Sequence, residues 1–461
     1  MSQDNAPNYQ PLQPQYRLLV LLVSIGFFMQ ALDTTIVNTA LPAMAKSLAQ
    51  NPLKMHGVIV AYVLSVASCI PLSGWLADRF GLRNIYLFAI FLFTIASLGC
   101  GFSNSFNELI IFRVLQGIGG ALLLPVGRLS LLKIIPREQF LAAMSLMSLA
   151  GLIGPLIGPT LGGWLVESFS WHWIFLINLP MGLLGIAVTL KALPNIQTPV
   201  QPFDTWGIIL LIMAMIGLTL GIDSFSEQHS GLLSAVLIAM GIFGSLAYAY
   251  YAHLSRKALF RSDLFKNRGF TVGILGNFFA RFAGNSIPFL LPLMLQVVFH
   301  FEPFMTGLML IPLVLGSLVS KPIVRPLIQH LGYRNVLVAN TAISGLCIIG
   351  FALHHATTPE WLRASHFFIF GILNSIQFVS MNTYTLKDLP KQYASSGNSF
   401  LSMIMMLSMS IAIAIAGSLI TIYSLPSLHF TIEQVFHYTL MTLGLFNIFT
   451  LCIFLKIPKG Q

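Results

Sequence analysis

The chain has 461 residues, of which 56% are hydrophobic and only 8% charged, with a mean hydropathy of +0.82. Soluble domains carry roughly 25% charged residues, so this composition excludes a water-soluble globular protein and points to a multi-pass protein in a lipid bilayer. The formal net charge of +10 does not imply a nucleic-acid partner, because the basic residues are scattered over short loops instead of gathered on one amphipathic face.

Apolar runs of about 20 residues, the length that crosses a bilayer, divide the chain into fourteen predicted membrane helices. They start near Leu18, Met55, Asn84, Glu108, Phe140, Trp173, Thr205, Leu232, Phe270, Met305, Asn335, Arg363, Tyr393 and Val435. With the amino terminus inside, only Lys46, Lys54 and Arg363 fall on outer segments; Arg113 and Arg281 are buried and the other Lys and Arg are cytoplasmic. The positive-inside rule therefore predicts an even number of spans and two cytoplasmic termini. The first span is too long for the apolar stretch of a cleavable signal.

That first span holds Asp33, the only acidic residue placed deep within a span of the first half. An uncompensated carboxylate in a bilayer is costly, which suits it to binding and releasing a proton; a permanent pair with Arg113 that fixes helix register is the competing reading. Between the second and third spans lie Gly74, Asp78, Arg79, Gly81 and Arg83. Asp78 ends the second span, where it can accept hydrogen bonds from Arg79, Arg83 or a helix amino terminus and so hold one of two bundle arrangements. A solvated loop charge is the alternative. In the fourth span Arg113, Gln116, Gly117 and Gly120 share one helix face. The guanidinium there stays charged; it either tunes a neighbouring carboxylate, binds a substrate anion or forms a static pair.

In the fifth span Gly151, Gly154, Pro155, Gly158, Pro159, Gly162 and Gly163 also fall on one face. Inside a soluble helix each Gly would cost about 1 kcal/mol and each Pro about 3. In lipid, small residues let backbones approach and neighbouring helices re-satisfy the groups that Pro frees. The stripe predicts a tightly packed, bent helix, either a static seam or a moving, gating one.

Two further spans and a basic stretch from Arg256 to Arg268 follow the sixth span, and then the pattern repeats. Leu41-Pro42-Ala43-Met44 is matched by Leu291-Pro292-Leu293-Met294, Gly57 by Gly307, and Gly81-Leu82-Arg83-Asn84-Ile85 by Gly332-Tyr333-Arg334-Asn335-Val336. An internal duplication of this kind predicts a six-helix bundle over residues 1–192, two extra helices and a linker over 193–268, and a second six-helix bundle over 269–461. Transporters build a central cavity from such parallel repeats. Arg281 lies near the repeat-mate of Asp33 and either faces that cavity or snorkels. The polar run Asn374, Ser375, Gln377, Ser380, Asn382 and Thr383 in the twelfth span suits either a bound ligand or helix-helix adhesion.

Other chemistry finds little support. His354, His355 and His366 flank a predicted outer loop and read as interfacial residues, not metal ligands; Cys69, Cys100, Cys347 and Cys452 read as small core residues. No metal or cofactor is expected, since the chain has neither a phosphate loop nor a GxSxG or HExxH pattern. An intramembrane enzyme or a non-transporting receptor is the alternative class, and duplication around a cavity argues against both.

These segments carry a resemblance. Gly74-Trp75-Leu76-Ala77-Asp78-Arg79-Phe80-Gly81-Leu82-Arg83 resembles the loop signature of the major facilitator superfamily, and Leu32-Asp33-Thr34-Thr35-Ile36-Val37-Asn38-Thr39-Ala40-Leu41-Pro42 resembles the first-helix signature of its drug:proton antiporters. Arg113-Val114-Leu115-Gln116-Gly117-Ile118-Gly119-Gly120 resembles the fourth-helix motif and the Gly/Pro stripe the fifth-helix antiporter motif. Trp171-His172-Trp173-Ile174-Phe175-Leu176-Ile177-Asn178-Leu179-Pro180 is similar to a stretch of the fourteen-span branch, although His172 stands where Arg is usual. The second copy of the loop signature has Gln329 in place of the acidic residue.

The resemblance implies an all-α membrane protein with the major facilitator fold, acting as an antiporter in a bacterial inner membrane. It implies small-molecule export driven by the proton gradient without a cofactor, by a monomer, with or without a periplasmic adaptor and outer-membrane channel. It also implies a conformational latch at Gly74 to Arg83. The buried Asp33, Arg113 and Arg281 carry a net positive charge, whereas a pocket for lipophilic cations would carry surplus carboxylate. An anionic cargo, such as an organic acid or a metal chelator, therefore stands beside cationic drugs.

Overall fold

In hydrocarbon a backbone must satisfy its own polar groups, and long runs of apolar residues do so by closing into helices. The computed structural model describes residues 11–198, 203–224, 231–255 and 257–458, and no strand occurs among them. Arg256, the first residue of the basic stretch, lies outside the described residues.

The membrane-length helices are α1 (Pro14–Ser47), α2 (Pro52–Phe80), α3 (Leu82–Gly101), α4 (Phe106–Ile134), α5 (Arg137–Ser168), α6 (Trp173–Ala192), α7 (Thr205–Ser224), α8 (Gly231–Leu254) and α9 (Arg268–Val297). A helical run of 49 residues then covers Pro303–Phe351, which at 1.5 Å per residue would be about 74 Å long, more than two bilayer cores. It breaks at Gly332 (φ 75°, ψ 159°) into α10 (303–331) and α11 (333–351). Then come α12 (Glu360–Lys387), α13 (Ala394–Tyr423) and α14 (Ile432–Phe454). The thirteen membrane-length helical segments found among the described residues are thus fourteen spans, and α9 carries a short break at Ala280 and Arg281.

Gly332 has a counterpart at Gly81, whose φ is 93°. Both open the repeated Gly-x-Arg-Asn segment, so the duplication read in the sequence is a duplication of backbone conformation. L side chains rarely adopt this region. At Gly81 a Cβ would also meet the side chain of Asn195, which arrives from the segment after α6.

Within the first half α5 lies along α1, α4 packs between α2 and α3, and α6 closes against α3. In the second half α12 and α14 flank α10 and α11, with α9 against α12 and α13. The two extra helices pair through glycines: a Cβ on Gly217 would lie 2.5 Å from Gly241 N. From there α7 packs on α13 and α2.

The halves meet along two seams, α5 against α10 and α2 against α13, with α1 touching α9. Gln296 Nε2 donates to the Thr39 carbonyl at 2.9 Å, Phe304 N to Glu167 Oε1 at 2.6 Å and Thr160 Oγ1 to the Gly307 carbonyl at 3.2 Å. All three bonds lie at the end where α1 finishes, called here the Ser47 end. Among the described residues no hydrogen bond joins the halves at the opposite, Phe80 end.

Candidate functional site

Residue Asp33 projects from the middle of α1 into the first half and shows no solvent exposure. The i, i+3 spacing on α4 turns Arg113 and Gln116 towards it together. Arg113 Nη1 donates to Asp33 Oδ2 at 2.6 Å and to Gln116 Oε1 at 2.7 Å, while Gln116 Nε2 donates to Asp33 Oδ1 at 2.8 Å and to Ser97 Oγ at 2.9 Å. Both carboxylate oxygens therefore have a donor. Arg113 Nε donates to the Val58 carbonyl at 3.1 Å, and its guanidinium lies 4.2 Å from the Tyr62 ring centroid. Gly117 permits this: a Cβ there would lie 2.5 Å from the Tyr62 carbonyl, so any larger residue would push α4 off α2.

The α5 stripe packs on the stretch of α1 that carries Asp33. A Cβ on Gly154 would lie 2.8 Å from Leu32 N and one on Gly162 2.6 Å from the Ile36 carbonyl; Gly151 abuts Phe27 and Gly158 abuts Thr35. The helix runs through Pro155 and Pro159 without interruption. Gly163 turns the other way, onto Pro303 and Phe304 of α10, and Gly307 fits against Pro159 and Thr160. The stripe is therefore shared between one seam inside the first half and one between halves.

On α9 the buried Arg281 has no carboxylate within ion-pair distance among the described residues. Its Nε donates to Asn277 Oδ1 at 2.9 Å and its Nη2 to Asn382 Oδ1 at 3.0 Å, and its guanidinium lies 4.2 Å from the Phe378 centroid. Asn277, four residues before Arg281, was available to the sequence reading through that spacing. Asn374 lies against Gly284, whose Cβ would be 2.7 Å from Asn374 Oδ1. Gln377 points into α11, accepting from Asn340 at 2.7 Å and donating to Thr341 Oγ1 at 2.8 Å. Gln377 is thus engaged in helix-helix contact, apart from the Arg281 hydrogen bonds.

The loop signature departs from expectation in its partners. Asp78 Oδ1 accepts from Lys133 Nζ at 2.7 Å and from Thr198 Oγ1 at 2.5 Å, instead of from Arg79 or Arg83. Lys133 ends α4, so it reaches Asp78 across the bundle, and the segment after α6 lies over both: Thr198 N donates to the Asp78 carbonyl. Arg79 is exposed, Arg83 half-buried, and Gly74 has open space where a side chain would stand.

A second buried polar contact joins the extra helices to the Ser47 end. His56 at the start of α2 bonds Asp223 of α7 through Nε2 at 2.8 Å and the Leu53 carbonyl through Nδ1 at 3.0 Å. Its ring fills the space beside Gly417 of α13, and the neighbouring Ser418 donates to the Ile222 carbonyl at 2.9 Å. An apolar groove of about 580 Å³ between α5 and α10, lined by Ile157, Trp164, Phe304 and Leu315, lies away from the Asp33 cluster.

The Major Facilitator Superfamily profile matches residues 23–413. The chain is 48% identical over 446 residues to the "Putative multidrug resistance protein MdtD" of Escherichia coli O6:H1, covering 95% of this chain and 94% of that one. The protein of the same name from Shigella boydii serotype 18 matches with the same identity and coverage. Among solved structures, the POT family transporter PepTSo aligns with a TM-score of 0.71 at 16% identity, over 96% of this chain and 98% of that chain. The nucleoside transporter NupG aligns with a TM-score of 0.66 at 13% identity, over 95% and 99%. With a matching profile over most of its length and full-length relatives at nearly half identity, this all-helical chain belongs to the major facilitator superfamily.

Proposed function

We propose that the protein is a proton-coupled antiporter that exports small molecules from the cytoplasm across a bacterial inner membrane by alternating access. Both termini are then cytoplasmic, and residues 1–192 and 269–461 rock as two bundles while 193–268 supply the extra helices. The relatives named for multidrug resistance support drug efflux as the activity. The observation that carries the coupling is the enclosed Asp33, whose two oxygens are both held by α4. In this orientation the Ser47 end faces outwards, and the arrangement described is closed outside.

Protonation of Asp33 from the outside removes the charge that Arg113 pairs with, loosens α4 from α1 and releases cargo; deprotonation towards the cytoplasm resets the pair. Because Asp33 is fully enclosed, proton access requires the cluster to open, which ties each proton to a movement of helices. Sealed vesicles carrying the protein are expected to accumulate solute when a pH gradient is imposed and to stop when it is dissipated.

The Asp78 contact acts as the latch of the outside-closed arrangement, since it ties the α2 end not only to α4 of the same bundle but, through Thr198, to the segment that leads into the extra helices. Both partners are partly solvated, so Lys133→Ala should change the unfolding free energy by no more than about 1 kcal/mol. It should slow transport by roughly fivefold, the effect of shifting a two-state balance by about 1 kcal/mol. An unaltered transport rate would remove the latch role.

Arg281 supports a second reading of the cargo as an anion, such as an organic acid or a metal chelator. A buried guanidinium held only by two amides and an aromatic face retains an unneutralised charge for a carboxylate. Arg281→Ala should then weaken transport of anionic solutes by on the order of tenfold or more while sparing cations, since hydrogen bonds to charged groups contribute about 1.5–3 kcal/mol. Equal effects on both classes would eliminate this reading.

A further inference from the structure

At the Ser47 end of the second half, residues 352–359 join α11 to α12 beside the first turns of α14. Three potential metal ligands converge there. His355 Nδ1 lies 2.8 Å from Glu433 Oε1, and His437 Nε2 lies 3.8 Å from the same oxygen. One ligand atom from each residue falls within 4.8 Å of the other two. Glu433 and His437 are one helical turn apart on α14 and share a face. His355 is delivered by the loop.

Both supports are held in place. Thr431 and Gln434 form a reciprocal capping box at the start of α14. In the loop, His355 N donates to Thr358 Oγ1 at 2.9 Å and Thr358 N returns to the His355 carbonyl at 2.9 Å. Beneath it the buried Arg363 donates to the carbonyls of His355 and Ala356 at 2.5 and 3.1 Å and stacks on Phe299 and Phe301. Its charge is thereby turned towards the loop backbone and the aromatic rings. His354, next to His355, turns its ring away to bond His366 at 3.0 Å.

An exposed His-Glu pair is worth at most about 1 kcal/mol, and here a second imidazole stands 3.8 Å from the same carboxylate oxygen. Two imidazoles and a carboxylate are a donor set that Zn2+ and similar borderline ions take, with a further position open to water. Ligand atoms about 2.0–2.2 Å from a tetrahedral ion stand roughly 3.4 Å from one another, so His355 Nδ1 and Glu433 Oε1 would part slightly from 2.8 Å and His437 Nε2 would close in from 3.8 Å, small rotations for the exposed His355 and half-exposed Glu433 side chains. His437 Nε2 would exchange its 3.3 Å contact with the His354 carbonyl for the ion.

We infer that His355, Glu433 and His437 form a binding site for one divalent transition-metal ion of the zinc class, tying α14 to the loop between α11 and α12. The site lies on the face that is outer in the proposed orientation. It is separate from the Asp33 cluster, and its occupancy is read without transport, so its failure would leave the transport reading standing.

The test is titration of untagged, chelator-treated full-length protein in detergent with Zn2+, following bound metal per chain and the thermal midpoint. The wild type should bind one equivalent and melt at a higher temperature with Zn2+ present, as any ligand selective for the folded state requires. Mg2+, which prefers all-oxygen octahedral sites, should do neither. His355→Ala and His437→Ala should each bind at least about tenfold more weakly, with Glu433→Gln weakened as well, because each removes a ligand. Since these side chains are at the surface or half-buried, the variants should elute from size exclusion as the wild type does. No Zn2+ uptake by the wild type, or unchanged uptake by the doubly substituted His355→Ala, His437→Ala protein, would overturn the site.

Discussion

Replacing Asp33 with Asn is expected to abolish gradient-driven export while leaving a folded protein. The amide keeps an acceptor for Arg113, whose charge also rests on Gln116, the Val58 carbonyl and the Tyr62 ring. What it loses is the negative charge, and with it the ability to take up and give back a proton. Asp33→Leu makes the contrast: it removes the acceptor together with the counter-charge, leaving the guanidinium with nothing in their place in a site without exposure, and breaking a buried pair in this way costs about 3–5 kcal/mol. That variant should reach the membrane in reduced amount. Size exclusion on fluorescent fusions reports folding, and sealed vesicles with an imposed pH gradient report export. Full export by Asp33→Asn would exclude Asp33 as the coupling group.

The second large effect is expected from Gly163→Leu. A Cβ at this position would lie 2.5 Å from the Pro303 carbonyl carbon and 2.7 Å from Phe304 Cα. These are backbone atoms at the start of α10, so neither can swing aside as a flexible side chain would. Gly307 faces the mirror-image restriction against Thr160 Cα, at 2.6 Å. Leucine should therefore separate α5 from α10 at the Ser47 end, break the Glu167 and Thr160 hydrogen bonds and hold the outside open. Spin labels placed on α5 and α10 should report a longer distance than in the wild type, and export should fall to background. An unchanged distance with normal export would show that the close approach is not needed for closure.

Much of the fold was legible because each apolar run closes into its own helix and the repeated Gly-x-Arg-Asn segment marks equivalent turns. The pairing of Asp33 with Arg113 was legible for the same kind of reason: a buried acid needs a counter-charge, and few are available in lipid. Partners that fold together from distant helices were not. Lys133 on α4 reaches Asp78 although Arg79 and Arg83 are its neighbours in sequence, because the end of α2 turns its carboxylate across the bundle. His56 and Asp223 meet only once α7 has docked on α2 and α13, and α7 has no counterpart in the repeat from which to infer its position. His355, read from the sequence as an interfacial residue, likewise joins Glu433 only through tertiary packing; the i, i+4 spacing of Glu433 and His437 is a signal that the sequence reading did not use.

The most direct measurement is of the proton itself. In proteoliposomes loaded with a pH-sensitive dye, a solute found by a transport screen should drive proton movement opposite to its own through the wild type. The Asp33→Asn protein should still exchange labelled for unlabelled solute, yet move no protons. Solute-driven proton movement by Asp33→Asn equal to that of the wild type would contradict the assignment of the coupling acid.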